Sequence, residues 1–425
     1  MPADAKTETK VDVRGAVELL KELRSLTADE NGAQRLAWSP TWLKAREWFQ
    51  SKLRALPVEH HYDAAGNSWS TMKGKSEMAL IVGSHLDSVP NGGWLDGALG
   101  VLSAYAVVKR IAEEYGGKPP VTIRLVDWAD EEGARFGRSL FGSSAFAGTQ
   151  TIEADRGRTD STGKRLEDAL AECGVRIDEI GNAGVERKNA AAYLELHIEQ
   201  GPVLESMDLP LGAVTGTKGV ERHLITFHGQ EAHSGSTPMN ARRDALAAAA
   251  KLALEIRPIA KKHSDSVCTM GSVKTFPGIV TAVVGRCEAT LDQRDLDADV
   301  LAQMYKEAQE KSRQFAAEEN CTVDWSRIWS IAPEPFHPKL IEFCEEAIAE
   351  TAGRSHRLPS GPLHDAAEVS RSGIPTAMMF VQSLKGISHN KIEDTREEHL
   401  EQAIVALDRL ARKTMEWIET TGTRE

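Results

Sequence analysis

Met78-Ala-Leu-Ile-Val-Gly-Ser-His85 is a short, almost wholly apolar run that ends on polar residues. Such a run reads as a strand buried on both faces. Val121-Thr-Ile-Arg-Leu-Val-Asp-Trp128 repeats the pattern, and Ala191-Ala-Tyr-Leu-Glu-Leu-His197 repeats it again. Between these runs, residues 98–115 and 139–148 read as helices. Before them, 11–26 and 41–55 read as amphipathic helices, the second carrying Trp42, Leu43, Trp48 and Phe49. Strands alternating with helices, with polar residues just past the strand ends, predict an α/β fold with a mostly parallel sheet. In such sheets ligands gather outside the carboxyl ends of the strands, which is where chemistry is to be sought.

The pattern changes after about Gly216. Residues 220–228 alternate in the manner of an edge or half-exposed strand, 241–257 form an Ala-rich helix, and Met270–Phe276 and Gly285–Arg294 are strands. Residues 298–318 form a polar helix. Strand–helix–strand–strand–helix–strand is the footprint of a small α+β sandwich with an antiparallel sheet. From Pro333 the chain returns to helix 338–351, strand Thr376–Val381 and a terminal helix from about 397. The expected organisation is a smaller α+β domain, 217–331, inserted into a catalytic domain built from 1–216 and 332–425.

Composition bounds the function. The chain has 425 residues, 41% apolar and 27% charged, which is ordinary for a globular protein of two or three domains. Its net charge of −12 argues against general nucleic-acid binding, which needs a basic footprint. No stretch approaches the ~20 consecutive apolar residues of a membrane span, and the first residues lack the apolar segment of a secretory signal. Cys173, Cys268, Cys287, Cys321 and Cys344 are dispersed without CxxC spacing, as suits reduced thiols in the cytoplasm.

The residues that can carry chemistry are His85, Asp87, Asp96, Glu131, Glu132, His197 and His389, each at or after an apolar strand or in a loop following one. Singly, such residues usually cap helices or satisfy loop amides. Together at one edge of one sheet they make a different case, because burying several carboxylates is costly unless cations neutralise them. Imidazole and carboxylate without thiolate suit Zn²⁺, Mn²⁺, Co²⁺ or Ni²⁺.

Gly83-Ser-His85-Leu-Asp87-Ser with Gly92-Gly-Trp-Leu-Asp96-Gly97 resembles the first metal motif of the M20 metallopeptidase/amidohydrolase family, and Asp130-Glu131-Glu132-Gly133 resembles the second. Glu195-Leu-His197-Ile-Glu-Gln200-Gly201-Pro resembles the third as it stands in the branch of N-carbamoyl-L-amino-acid hydrolases, β-ureidopropionases and allantoate amidohydrolases. Ala232-His233-Ser, Leu291-Asp-Gln-Arg294-Asp295 and Gly386-Ile-Ser-His389-Asn complete the series in order.

The resemblance implies two divalent metal ions per subunit. His85, His197 and a bridging Asp96 would hold one, and Asp96, Glu132 and His389 the other. Asp87 would fix the His85 tautomer. Glu131 would take the proton of the attacking water and hand it to the leaving nitrogen. Asp96-Gly97 would form a turn that aims the bridging carboxylate, with Gly97 supplying backbone freedom. In the inserted domain, His233 would be the lid histidine that hydrogen-bonds the oxyanion, often across a homodimer interface. Arg294 would fork onto a substrate carboxylate; its ordinary alternative is a pair with Asp292 or Asp295. Gln200 is a candidate contact for the ureido or amide group, and Gly361 and His364 for the pocket wall.

Two departures touch substrate positions. Thr281 stands where the branch usually has an Asn, and Gly361-Pro362-Leu363-His364-Asp365 replaces a Gly-Ala-Gly-His-Asp run. The implied activity is metal-dependent hydrolysis of a linear C–N bond in a small N-carbamoyl-L-amino acid or related ureido acid. The alternatives are an N-acyl-amino-acid hydrolase or dipeptidase with the same machinery, and a silent binding protein that kept the fold. The last would have lost a ligand or the base, and every such position is filled.

Overall fold

The structure, a computed structural model, describes residues 9–421. Val121–Trp128 and Ala190–Ile198 are buried along their whole lengths. Only the interior of a sheet covered on both faces accommodates strands of that kind. Across the sheet the order is Leu211–Thr217, Thr376–Val381, Ala190–Ile198, Ser76–His85, Val121–Trp128, Ser68–Met72 and Glu59–Tyr62.

The four strands from Thr376–Val381 to Val121–Trp128 run parallel. The pairings outside them are antiparallel. The sheet is therefore mixed, and the expected parallel character is confined to its centre. Glu59–Tyr62 and Ser68–Met72 are joined by a short connection, which only antiparallel neighbours can share. They are also short and polar, so no apolar run announces them.

Helices Val13–Thr27, Ala98–Tyr115, Pro338–Ala352 and Glu397–Thr421 bury Leu20, Val107, Leu340 and Leu407 with Val82, Leu125 and Met379 of the strands in one core. A second core gathers Trp69, Trp128, Tyr193, Phe146 and Phe380.

The chain divides into two compact units: the segments up to Thr215 and from Phe336, and the single stretch Gly216–Pro335. The latter runs past the expected 331 because Glu334 and Pro335 pair with Thr217 and Gly216. Its antiparallel sheet has the order Val267–Phe276, Arg286–Asp295, Gly219–His228, Thr322–Ile331. Thr322–Ile331 is the fourth strand that the footprint requires. Gly219–His228 lies inside the sheet, so its alternation reflects one buried face and not an edge position. Helices Ala245–Ala260 and Ala298–Glu318 cover that face with Ala248, Leu252, Ile256, Met304 and Ala308. The first begins later than the expected 241 because the Asp244 carboxylate accepts from the amides of Leu246 and Ala247 and caps it there.

Among the described residues no helix is long and apolar enough to cross a membrane. All five cysteines are free thiols.

Candidate metal centre

Each of the four parallel strands delivers a candidate ligand at or beyond its carboxyl end. His85 closes Ser76–His85, Glu131 and Glu132 follow Val121–Trp128, His197 precedes the last residue of Ala190–Ile198, and His389 lies in the segment after Thr376–Val381. Asp96 stands just before the Ala98–Tyr115 helix.

These side chains converge on Asp96. His197 Nε2 is 3.2 Å and His85 Nε2 3.7 Å from Asp96 Oδ1, while His389 Nε2 is 3.6 Å from Oδ2. His389 Nε2 is also 3.4 Å from Glu132 Oε2. The ligand atoms of His85, Asp96 and His197 lie within 4.8 Å of one another, as do those of Asp96, Glu132 and His389.

Hydrogen bonding tests whether cations fit. His197 Nδ1 faces the Ile198 carbonyl at 2.9 Å, and His85 Nδ1 the Asp87 carbonyl at 3.2 Å. Both Nδ1 atoms are thereby donors, so Nε2 is the ring nitrogen each histidine turns towards the carboxylates. The Nε2 atoms of His85 and His197 and Oε1 of Glu132 are buried and have no hydrogen-bond partner among the described residues. Two imidazole nitrogens and several carboxylate oxygens thus face one another across a buried space. Divalent cations fit the donor set.

Neighbouring residues fix the ligands. Asp87 accepts the Glu131 amide on Oδ1 at 3.2 Å and the Glu132 amide on Oδ2 at 3.1 Å, so one carboxylate ties the His85 arm to the Glu131–Glu132 loop. Glu393 Oε1 accepts the amides of Leu95 and Asp96, both at 3.1 Å, and Ser388 Oγ donates to Asp96 Oδ2 at 3.0 Å. Gly97 has φ +62°, and a Cβ on it would lie 2.3–2.5 Å from the His85 ring. Both its conformation and the closeness of His85 exclude a side chain there.

Electrostatics follow from the crowding. Burial raises Asp96, but the imidazoles of His197, His85 and His389 outweigh it and bring the carboxyl well below its ordinary range. Burial, with the carboxylates of Asp365, Glu132 and Asp87 behind it, holds Glu131 well above the usual value against the pull of His85. Glu132 is raised by burial and by Asp96. Burial, reinforced by Asp87, pushes Asp130 up to about 8, although Trp38 Nε1 donates to its carboxylate at 2.8 Å.

Glu131 Oε2 lies 3.7 Å from His85 Nε2. His364 is buried with its ring centroid 4.4 Å from that of His197, and burial together with His197 keeps it neutral. His197 and His364 form a further group with Glu195. Glu195 is already satisfied by Ser84, Tyr193 and the Ala366 amide. The Gln200 amide donates to Asp96 Oδ2 at 2.8 Å and to Ser388 Oγ at 3.0 Å, so its NH₂ group is engaged with the ligand cluster. Gly361 has open space where a Cβ would stand.

His233, Thr281 and Arg294 belong to the Gly216–Pro335 unit. His233 pairs with Ala282 across a two-residue bridge, and the Thr281 carbonyl accepts the Ser234 amide at 2.9 Å, so His233 and Thr281 are neighbours there. Arg294 places Nε 2.8 Å and Nη2 3.2 Å from the two oxygens of Asp292, the pairing named as its alternative. Sequence reasoning gave no role to Arg35, Asp127, Ser388 and Glu393, which hold the loops of the candidate ligands; Ser388 lies within the His389 motif, Glu393 four residues after it and Asp127 three before Asp130, so only Arg35 is remote from every motif.

The model of peptidase family M20/M25/M40 matches residues 81–413. The chain belongs to this family. Among proteins similar to this M20 chain is the N-carbamoyl-L-amino acid amidohydrolase of Geobacillus stearothermophilus, 36% identical over 86% of this chain and 90% of the relative. The allantoate amidohydrolase of Escherichia coli (strain K12) is 33% identical over 92% and 95%. A crystal structure of an amidase of the hydantoinase/carbamoylase family from Burkholderia multivorans superposes with a TM-score of 0.86 at 32% identity, covering 95% of this chain and 98% of that one.

Proposed function

We propose that this M20 chain is a metal-dependent hydrolase of linear, non-peptide C–N bonds, acting on N-carbamoyl-L-amino acids or related ureido acids and releasing ammonia, CO₂ and the amino acid. The observation that supports it most is the pair of buried His85 and His197 Nε2 atoms turned towards Asp96, in a chain similar to an N-carbamoyl-L-amino acid amidohydrolase and an allantoate amidohydrolase.

His85, Asp96 and His197 would hold one divalent ion and Asp96, Glu132 and His389 a second. When bound, such a pair supplies a nucleophilic water at neutral pH and polarises the scissile carbonyl. Asp87 holds the His85 tautomer and keeps the Glu131–Glu132 loop in place. Glu131 removes the proton from the attacking water and returns it to the leaving nitrogen. In the second unit, which we read as an inserted lid and dimerisation domain, His233 donates to the oxyanion and Arg294 exchanges Asp292 for the substrate carboxylate. By the same reading Gln200, Gly361 and His364 of the first unit, and Thr281 of the second, would be contacts of the substrate. Free thiols and the lack of CxxC spacing favour the cytoplasm.

Turnover of N-carbamoyl, N-acetyl and dipeptide forms of one amino acid, before and after chelation and with Zn²⁺, Mn²⁺, Co²⁺ or Ni²⁺ restored, tests the proposal. Hydrolysis of the carbamoyl form alone, lost on chelation and recovered with metal, is expected. Preference for the acetyl or peptide form would move the substrate class; indifference to chelation would remove the metals. If His233 acts in a partner's site, mixing His233→Ala and Glu131→Ala chains restores activity, and no recovery in proven heterodimers counts against that arrangement.

A further inference from the structure

Leu86 joins His85 to Asp87, and its two flanking peptide groups are each held by a charged side chain. The Leu86 N–H donates to Asp127 Oδ1 at 2.8 Å. The Leu86 carbonyl accepts from Arg35 Nε at 2.8 Å. Asp127 is balanced by Arg46, whose Nε is 2.7 Å from Oδ2 and whose guanidinium stacks on Trp42 at 3.9 Å. Among the described residues Arg35 has no such ion-pair partner. It is wholly buried, its Nη2 makes no hydrogen bond, and Nη1 reaches Thr27 Oγ1 only at 3.4 Å. Its backbone is pinned to the same loop, for the Arg35 N–H donates to Ser88 Oγ at 3.1 Å and the Ser88 N–H to the Arg35 carbonyl at 3.0 Å.

A fully desolvated guanidinium is costly to keep. Burial pulls the pKa of Arg35 down, and the carboxylates of Asp87, Glu393, Asp96 and Glu132 act against that pull. Retaining an arginine there makes sense if its directional N–H bond does something a neutral core residue cannot.

We propose that Arg35 is a positioning residue for hydrolysis: by gripping the Leu86 carbonyl it fixes the peptide leading into Asp87, and so sets the His85 imidazole and the Glu131–Glu132 loop in one register. The coupling runs through bonds already described. Asp87 faces His85 Nδ1 through its own carbonyl and accepts the amides of Glu131 and Glu132. If the Leu86–Asp87 peptide turns, a metal ligand and the general base move together. Lysine replaces this single N–H bond only in part, because its ammonium is a point donor on a flexible stem and is not held in a plane as the guanidinium is.

The inference rests on the metal-site reading above, and the test separates the two. Co²⁺ binding to the metal-free wild-type chain comes first, read by its visible absorption and by competition with a chromophoric chelator. No Co²⁺ binding would defeat the metal-site reading itself. Given binding, Arg35→Met is expected to weaken Co²⁺ affinity and lower kcat by about 10–100-fold each, the range seen when outer partners of metal ligands are removed. KM should stay within about twofold, since no substrate contact is lost, and the Co²⁺ bands should shift. Arg35→Lys should fall between Met and wild type in all three readouts. A folded Arg35→Met chain with wild-type bands, affinity and kcat overturns the proposal, as does a change confined to KM. If Arg35→Met does not fold, Arg35→Lys decides, and wild-type bands and kcat in that variant overturn it.

Discussion

Replacing Gly97 by alanine adds one methyl group at the point where backbone and ligand are closest. The new Cβ would stand 2.3 Å from His85 Cε1, 2.4 Å from Nδ1 and 2.5 Å from Nε2, whereas ordinary contact starts at 3.4 Å. The ring must therefore retreat by about 1 Å. Gly97 also sits at φ +62°, ψ −47°, outside the left-handed helical well, where a side chain costs about 1–3 kcal/mol. Overpacking a filled site adds about 1–3 kcal/mol. The total, about 2–6 kcal/mol, lies towards the bottom of the ~5–15 kcal/mol that holds a typical domain together, so the variant should fold with a clearly lowered Tm. A 1 Å displacement of His85 from Asp96 is of the size that costs ~10²-fold in rate. Thermal unfolding with and without metal, elemental analysis and kcat on an N-carbamoyl amino acid give the three readouts. Expected are a lower Tm, a smaller stabilisation by metal than in wild type, and at least a tenfold loss of turnover. Wild-type metal content and turnover in Gly97→Ala would refute the claim that the glycine exists to let His85 in.

Glu131→Gln should keep its metal content while kcat drops by ~10²–10⁴, the usual contribution of a general base; loss of metal instead would make Glu131 a ligand. Asp87→Asn turns one of two oxygens that face backbone N–H groups into a donor, so metal affinity measured by chelator competition should fall by about 10–100-fold. Arg294→Ala should raise KM for carboxylate-bearing substrates. Its half-exposed pair with Asp292 contributes only ~0–1 kcal/mol to stability, so an unchanged KM together with a large fall in Tm would reverse that assignment. Gly361→Ala meets open space and should shift stability by no more than ~0.5 kcal/mol, which makes it a clean probe of substrate preference across N-carbamoyl amino acids.

The interior strands were legible because burial on both faces writes itself as an unbroken apolar run: Val121–Trp128 and Thr376–Val381 lie where the sequence puts them. Glu59–Tyr62 was not, since a largely exposed strand at the sheet's edge has no such need, and Ser68–Met72 was not because its buried positions include Ser68 and Ser70, which break the apolar run. The convergence of His85, Asp96, Glu132, His197 and His389 follows from a simple rule, that parallel strands deliver what trails them to one side. What surrounds the ligands is harder to read. Gln200 and His389 adopt φ +58° and +54° without being glycine, and nothing in their neighbours foretells it. Arg35 and Asp127 act through backbone groups of Leu86, and a backbone group is the same in every sequence.

The Thr376–Val381 strand lies between Ala190–Ile198 and Leu211–Thr217, yet it leaves the ribosome long after both. Until it emerges, the facing edges of those two earlier strands have no partner, and an unpaired strand edge invites pairing with another chain. At ~5–20 residues per second, translating from residue 217 to 381 leaves that gap open for roughly 8–33 seconds in every newly made molecule. The nascent chain is therefore most prone to aggregate in this interval, and slow codons or a stall within the Gly216–Pro335 segment prolong it.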